Sequence, residues 1–363
     1  MRHYLIPTIA AAALAVSMAA KAEDNVLNVY NWSDYIDESL LEQFTKETGI
    51  KINYSTYDSN ETLEAKLLAG KSNYDVVVPT ASNMSRQIKA GIYQKLDKSK
   101  LPNLKHMWPE IMKRVQAYDP DNLYAVNYMW GTTGIGYNVE QIKKRMPDAP
   151  LNSWAMIFDP NIISKFKDCG VHVLDTADEL FPAALNYLGL NPDSHEPADL
   201  EKAADLVAKV RPYILKFHSS EYISALGNGD ICLAVGWSGD VFQARDAADK
   251  AKNGVTVGYS IPKEGALMWF DMMVIPKESK NPDGAHKFIN FMMKPENIAK
   301  STNYVYYANG NLASQKLLEK DLIEDPAIYP DAETMARLYT TTPYPNKIQR
   351  IVNRAWTRVK TGQ

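Results

Sequence analysis

Three tryptophans in the sequence are each followed, two or three residues later, by an aspartate at or near an apolar, strand-like run. The pairs are Trp32 with Asp34, Trp237 with Asp240, and Trp269 with Asp271. An indole face shelters methylene groups and attracts cations, and a carboxylate binds an ammonium group through charge-assisted hydrogen bonds. A flexible aliphatic polyamine needs both, because an ammonium buried without an acid would cost several kcal/mol.

The three pairs could instead be ordinary core tryptophans and helix-capping aspartates. That explanation suffices for one pair, but it is less suited to three pairs at strand ends in one chain. In open parallel sheets, ligands bind beyond the carboxyl ends of the strands. We therefore expect the first pair, with Ser33, to face the second pair across a cleft. Strand alternation would place the third pair on one side of its strand.

The elements that position these residues follow from apolar periodicity. In the first part of the chain, strands are expected at 26–30, 50–54 and 75–79, and helices at 38–48, 60–69 and 82–90. Alternating strands and helices predict an α/β fold, with mainly parallel sheets covered by helices on both faces. Later elements are strands at 171–174, 231–235, 255–260 and 267–275, and helices near 179–188, 199–210 and 344–360.

The segment 128–137 mixes aromatics with Gly131, Gly134 and Gly136, and it is expected to cross between two lobes as a strand. Two crossings would form a hinge. The predicted division, with approximate limits, is a signal peptide at 1–22, a first lobe at 23–130 plus 255–310, and a second lobe at 131–254 plus 311–363. A chain of this length fits two lobes of ordinary size.

The N-terminal residues predict export. Arg2 precedes an apolar run that ends at Ala20, and an A-x-A cleavage pattern follows, with Glu23 as the expected mature N-terminus. The net charge of −3 becomes more negative by two without the signal peptide. This excess of acid argues against nucleic acid as partner, because phosphate binding requires a basic face.

The sequence has two cysteines, Cys169 and Cys232, which either form a disulfide or remain buried thiols.

Motifs for catalysis or cofactor binding are missing from the sequence. There is no H-E-x-x-H, no G-x-x-x-x-G-K-[ST] and no G-x-S-x-G, and the six histidines lack metal-ligand spacing. We therefore expect a binding protein with neither cofactor nor metal. The alternatives are a ferric-ion binder that uses Tyr306 and Tyr307, an exported hydrolase that uses two cleft carboxylates, and a sensor subunit for a membrane receptor.

Several segments along the whole mature chain carry a family resemblance. They are 29–36 (VYNWSDYI), 45–51 (TKETGIK), 58–61 (DSNE), 217–220 (FHSS), 228–232 (NGDIC), 235–241 (VGWSGDV) and 260–266 (SIPKEGA). The chain resembles the polyamine-binding periplasmic proteins of ABC importers, most closely the putrescine-binding members. The resemblance implies a type II periplasmic binding fold with a hinged central cleft. It also implies a monomer that closes around a polyamine and docks on an inner-membrane permease.

The resemblance also implies site residues. Ten positions match the family's pocket: Trp32, Ser33, Asp34, Tyr35, Thr80, Glu179, Trp237, Asp240, Asp271 and Tyr307. Trp269 stands where putrescine binders usually have Phe, so the choice between putrescine and spermidine stays open. Thr80 replaces the usual Ser but keeps the hydroxyl, and Asp178 stands directly beside the matching acid Glu179. Cys169 and Cys232 match the family's paired cysteines, which favours a disulfide.

Overall fold

The computed structural model describes residues 25–362, so the predicted signal peptide and Glu23 lie outside the described residues. Ten strands are hydrogen-bonded into one network in this part of the chain. They are β1 Val26–Trp32, β2 Lys51–Tyr57, β3 Val76–Val77, β4 Ala125–Asn138, β5 Val171–Val173, β6 Lys216–Phe217, β7 Leu233–Trp237, β8 Val257–Ser260, β9 Met268–Val274 and β10 Ala308–Asn309.

Helices cover the sheet and fill the connections. The described α-helices are α1 Ser39–Thr48, α2 Asn60–Leu68, α3 Ala81–Lys89, α4 Pro109–Val115, α5 Val139–Arg145, α6 Ala155–Phe158, α7 Pro160–Ile163, α8 Ala177–Tyr187, α9 Pro197–Val210, α10 Tyr222–Asn228, α11 Ser238–Ala251, α12 Pro282–Met292, α13 Pro295–Val305, α14 Lys320–Ile323, α15 Ala332–Arg337 and α16 Asn346–Thr361. Short 3-10 turns join several of them. The predicted α/β class is confirmed, and most predicted elements lie within a few residues of their expected positions.

The strand order is β2-β1-β3-β9-β4-β7-β5-β6, and β8 and β10 also pair with β4. Strand β1 runs parallel to β2 and β3, and β5 runs parallel to β6 and β7. The long strand β4 forms antiparallel pairs. Its first half pairs with β9, and its second half pairs with β7 and β8. The segment predicted to cross between two groups of strands is therefore one continuous strand.

Loops at the strand ends carry the predicted site residues. Trp32 is the last residue of β1, and α3 begins just after β3 at Ala81. Helix α11 begins at Ser238, directly after Trp237 ends β7. Strands β1 and β3 are neighbours, whereas β7 lies beyond β9 and β4 in the strand order. All three junctions lie at the carboxyl ends of their strands, where ligands bind in open α/β sheets.

Buried apolar side chains form separate cores on the two sides of β4. One core contains residues from β5, β7, α8, α9 and α16, and two other clusters contain residues from β1, β3, β9 and α12. Buried residues between 318 and 338 pack with the latter group. Two cores joined by a crossing strand are what a two-lobed fold requires, and the exact lobe limits remain a prediction.

Cys169 and Cys232 form the predicted disulfide, with their Cα atoms 5.5 Å apart. They are 63 positions apart in the sequence, so the bond closes a long loop, and the chain-entropy model gives about 4 kcal/mol of stabilisation for such a loop. Among the described helices, none is long and apolar enough to cross a membrane.

Candidate ligand-binding cleft

A cleft between the two groups of strands contains about 1320 Å³ of space, including space open to solvent. All eleven residues predicted to bind ligand line it: Trp32, Ser33, Asp34, Tyr35, Thr80, Glu179, Trp237, Asp240, Trp269, Asp271 and Tyr307. The structure thus brings together residues that are up to 275 positions apart in sequence. Their contact with a ligand remains a proposal.

Asp271 is buried on β9, and two hydroxyl groups hold its carboxylate. Tyr35 Oη donates to Oδ2 at 2.8 Å, and Thr80 Oγ1 donates to Oδ1 at 2.9 Å. Asn60 fixes Thr80, because its side chain bonds both the hydroxyl and the backbone N–H of Thr80. Burial raises the pKa of Asp271 to about 7, although both hydroxyl bonds act to lower it. The carboxyl group is therefore oriented by hydroxyl groups, and no cation among the described residues 25–362 neutralises it.

Asp240 lies in the first turn of α11 and has an equivalent environment. Tyr222 Oη donates to its Oδ2 at 2.7 Å, and Tyr307 Oη donates to its Oδ1 at 2.5 Å. Burial raises the pKa of Asp240 to about 6 against these two hydrogen bonds. Burial also raises the pKa values of Tyr222 and Tyr307 well above 10, so both phenols remain protonated donors. Asp240 and Asp271 are thus two oriented carboxylates, one from each group of strands.

Glu179 is the third acid of the cleft, in the first turn of α8. Its carboxylate accepts hydrogen bonds from the Thr133 hydroxyl and, at 3.3 Å, from the indole N–H of Trp237. Burial raises the pKa of Glu179 to about 7. The neighbouring Asp178 also lines the cleft, and burial raises its pKa to about 6. Both acids are therefore available to a cationic ligand.

Aromatic rings form the walls between these acids. Trp32 and Trp237 meet edge to face with ring centroids 5.9 Å apart, and the Trp32 indole N–H donates to Val78 O at 2.8 Å. Trp269 packs against Tyr307 with centroids 5.4 Å apart, and Tyr307 packs against Tyr35 at 5.1 Å. These edge-to-face contacts come from both sides of β4, so the walls need both groups of strands to be close together.

Asp34 and Ser33 lie at the edge of the cleft. The Ser33 backbone N–H donates to Tyr57 O at 2.9 Å, which anchors the loop after β1. Asp34 is exposed and has a positive φ of 52°, and its backbone oxygen accepts a 3.4 Å bond from Gln243 of α11. Asp34 therefore differs from the buried acids, because solvent already surrounds its carboxylate.

The cleft has a strong excess of negative charge. Eight acidic side chains line it, against one basic side chain, Arg86. Arg86 is already occupied: it forms a 2.6 Å ion pair with Glu64 and bonds Gln349 of α16 at 3.4 Å. Within residues 25–362, no group of three or more His, Cys, Asp or Glu side chains could hold a metal ion. The arrangement is suited to an organic cation.

The ferric alternative is not supported at Tyr306 and Tyr307. Tyr307 donates its hydroxyl hydrogen to Asp240 and has a raised pKa, whereas an iron ligand would have to be deprotonated. Tyr306 is not among the cleft-lining residues, and burial and Asp246 raise its pKa to about 12. Tyr306 packs against a different core cluster from the one that contains Tyr307, so the two side chains do not form one site.

Several residues whose hydrogen bonds orient the cleft acids were not predicted from the sequence. Tyr222, Thr133 and Asn60 contact Asp240, Glu179 and Thr80, respectively. Thr133 lies in the predicted crossing strand and Tyr222 begins α10, and in neither place does a local pattern mark the side chain as the partner of an acid. Asn60 begins α2, whose N-cap is Ser59, and its side chain bonds Thr80 instead of the helix end. Only the three-dimensional arrangement identifies these contacts.

Comparison with known proteins gives consistent results. Residues 39–330 match the family of bacterial extracellular solute-binding proteins. The putrescine-binding periplasmic protein SpuD of Pseudomonas aeruginosa is 54% identical over 98% of each chain. PotF of Escherichia coli, also a putrescine-binding periplasmic protein, is 48% identical over 100% of this chain and 99% of its own.

A solved structure agrees with these relatives. It is the spermidine/putrescine ABC transporter substrate-binding protein PotD from Streptococcus pneumoniae, which is 34% identical. The match has a TM-score of 0.76 and covers 93% of this chain and 99% of that one. The predicted two-lobed type II fold is confirmed by this likeness. The chain belongs to the family of bacterial extracellular solute-binding proteins.

Proposed function

We propose that this protein captures a linear polyamine in the cleft, with putrescine as the first candidate. The observation that carries the proposal is the pair Asp240 and Asp271, two buried carboxylates that hydroxyl groups orient. Within residues 25–362, neither has a cationic partner. Each would receive one ammonium of a diamine. Indole and phenol faces between them would shelter the methylene chain, with cation–π attraction worth about 0.5–2 kcal/mol.

The proposed mechanism is binding without chemistry. The chain is a periplasmic binding protein and not an enzyme. An open form loses water from the cleft as the two lobes close on the diamine, and the ligand shifts this equilibrium because only the closed form contacts both ends. The closed, monomeric form then delivers its ligand to an inner-membrane ABC permease. A micromolar site needs about 8 kcal/mol, which two ion pairs and an aromatic enclosure can supply.

The names of the related proteins support a polyamine as ligand, but they leave open whether it is a diamine or a longer polyamine. SpuD and PotF are named as putrescine-binding, and the pneumococcal PotD is named for spermidine and putrescine. In this chain Trp269 and the acids Asp178 and Glu179 all line the cleft. We propose that a diamine occupies the region between Asp240 and Asp271, and that a longer polyamine would extend toward Asp178.

A thermal-shift panel tests the proposal directly. The ligands are putrescine, cadaverine, spermidine, spermine, arginine and maltose, each at about 1 mM. A ligand that binds only the folded state raises the melting temperature by mass action, and a concentration of 100 Kd adds about 2.7 kcal/mol. We expect putrescine or spermidine to give the largest rise and maltose to give none. A panel in which no polyamine raises the melting temperature would contradict the proposed function.

A further inference from the structure

Gly131 lies directly beneath the indole of Trp269. The two residues are cross-strand partners in the antiparallel pairing of β4 and β9. A Cβ atom placed on Gly131 would lie 2.7 Å from Cζ2 and 2.9 Å from Cη2 of Trp269. Because protein Cβ atoms do not approach ring carbons so closely, the indole occupies the space that a side chain at position 131 would need.

Packing, rather than a hydrogen bond, determines where this indole lies. The Trp269 indole N–H is buried and has no hydrogen-bond partner within residues 25–362. The ring is 8% exposed and contacts the Tyr307 ring, whose hydroxyl group holds Asp240. A change in the packing beneath the indole would therefore move it toward the cleft, and no polar contact would resist the movement.

The backbone itself does not require glycine at this position. Gly131 is not among the residues with positive φ, and glycine within a strand is destabilising by about 0.5–1 kcal/mol relative to alanine. The remaining reason for glycine at position 131 is that no space is left for a side chain. Ser238 Oγ lies 2.9 Å from the same Cβ position, but this hydroxyl can rotate away, whereas the fused ring of Trp269 cannot change shape.

We propose that Gly131 is a positioning residue that sets the location of the Trp269 wall and thereby the width of the polyamine cleft. This inference rests on the proposed function. A methyl group at position 131 would push the indole into the space for the ligand's methylene chain. Gly131 would then act on affinity only through Trp269, without touching the ligand.

A double-mutant cycle tests this role by calorimetry with putrescine. The variants are Gly131→Ala, Trp269→Phe and the combination of both. In the wild-type background we expect Gly131→Ala to weaken binding at least tenfold. In the Trp269→Phe background the same change should weaken binding less than threefold, since phenylalanine lacks the Cζ2 and Cη2 edge. Non-additivity of this kind identifies two residues that act as a unit.

Gly136→Ala is the matched control. Gly136 is also on β4, and its Cβ would lie 2.8 Å from a methyl group of Val241, remote from the indole. Its effect should be the same in both backgrounds. If Gly131→Ala fails to fold, recovery of the fold in the Trp269→Phe background supports the inference, and no recovery overturns it. An equal cost of Gly131→Ala in both backgrounds also overturns it. Absence of putrescine binding by the wild-type protein contradicts the proposed function instead.

Discussion

The acids at the two ends of the cleft have different partners: hydroxyl groups at the inner end and a basic side chain at the outer end. At the inner end, Asp240 and Asp271 each accept hydrogen bonds from two hydroxyl groups. No Lys, Arg or His pairs with either acid in the described part of the chain. At the outer end, Arg86 lines the cleft and pairs with Glu64, which lies outside it. Burial raises the pKa of the nearby Asp178 to about 6, against the opposing charge of Arg86. Among residues 25–362, the outer end therefore has its own cation and the inner end has none.

This difference shows what hydroxyl donors contribute to a cation site. A tyrosine or threonine hydroxyl fixes the orientation of a carboxylate without supplying a positive charge, so the free energy of charge neutralisation stays available to the ligand. Burying these charged carboxylates without a counter-charge costs free energy. This cost is reflected in raised pKa values, about 6 for Asp240 and about 7 for Asp271. An ammonium at each acid would remove that cost.

Removal of an inner acid should have the largest effect on binding. We expect Asp271→Asn and Asp240→Asn each to weaken putrescine binding at least tenfold, about 1.4 kcal/mol or more, because one buried ammonium would lose its counter-charge. Glu64→Gln is the control, since Glu64 already has Arg86 and does not line the cleft. We expect that change to alter affinity less than about threefold. Calorimetry measures all three variants.

Equal effects of the inner and outer variants would contradict this comparison. In that case the affinity would depend on the total negative charge near the cleft and not on the positions of Asp240 and Asp271. Circular dichroism and the melting temperature of each ligand-free variant separate a loss of affinity from a loss of fold.

Acidification should weaken binding by a smaller but measurable amount. The free protein has carboxyl pKa values of about 7 at Asp271 and Glu179, above their ordinary values, because of burial. Below pH 7 these groups are protonated and must lose a proton before they pair with an ammonium. Since aliphatic amines stay charged below about pH 10, affinity should fall roughly tenfold or more between pH 8 and pH 6. Constant affinity across this range would contradict the pairing.

The smallest effect is expected in the thermal stability of the ligand-free protein. Here protonation of the buried acids should stabilise the fold, whereas it weakens ligand binding. A carboxyl group whose pKa is raised by folding binds its proton more tightly in the folded state, so it destabilises the fold as pH rises from about 4 to 7. Asp271→Asn removes this penalty. We expect the ligand-free variant to melt about 2–4 °C above the wild-type protein at pH 8, with a smaller difference at pH 5. A variant that melts lower at pH 8 would show that the Asp271 carboxylate is structurally required.

The sequence predicted the fold class and the three Trp–Asp pairs of the cleft because both depend on local patterns. Tyr35, Thr80, Glu179 and Tyr307 were predicted only from the family resemblance. Strand ends are marked by apolar runs, and Trp32, Trp237 and Trp269 each stand close to an aspartate. The contacts that orient the acids could not be predicted in this way. Tyr222 and Thr133 contact Asp240 and Glu179 only after the strands have packed. The same holds for Gly131, which the sequence assigned only to the crossing strand and whose position under the indole depends on the pairing of β4 with β9.

Proton release on binding tests the central claim most directly. Putrescine is titrated into the wild-type protein at pH 7 in two buffers that differ in ionisation enthalpy. We expect the binding enthalpy to differ between the buffers, because ammonium groups displace protons from the buried carboxyls of Asp240, Asp271 and Glu179. Tight binding with the same enthalpy in both buffers would show that the ligand's charges do not meet these acids.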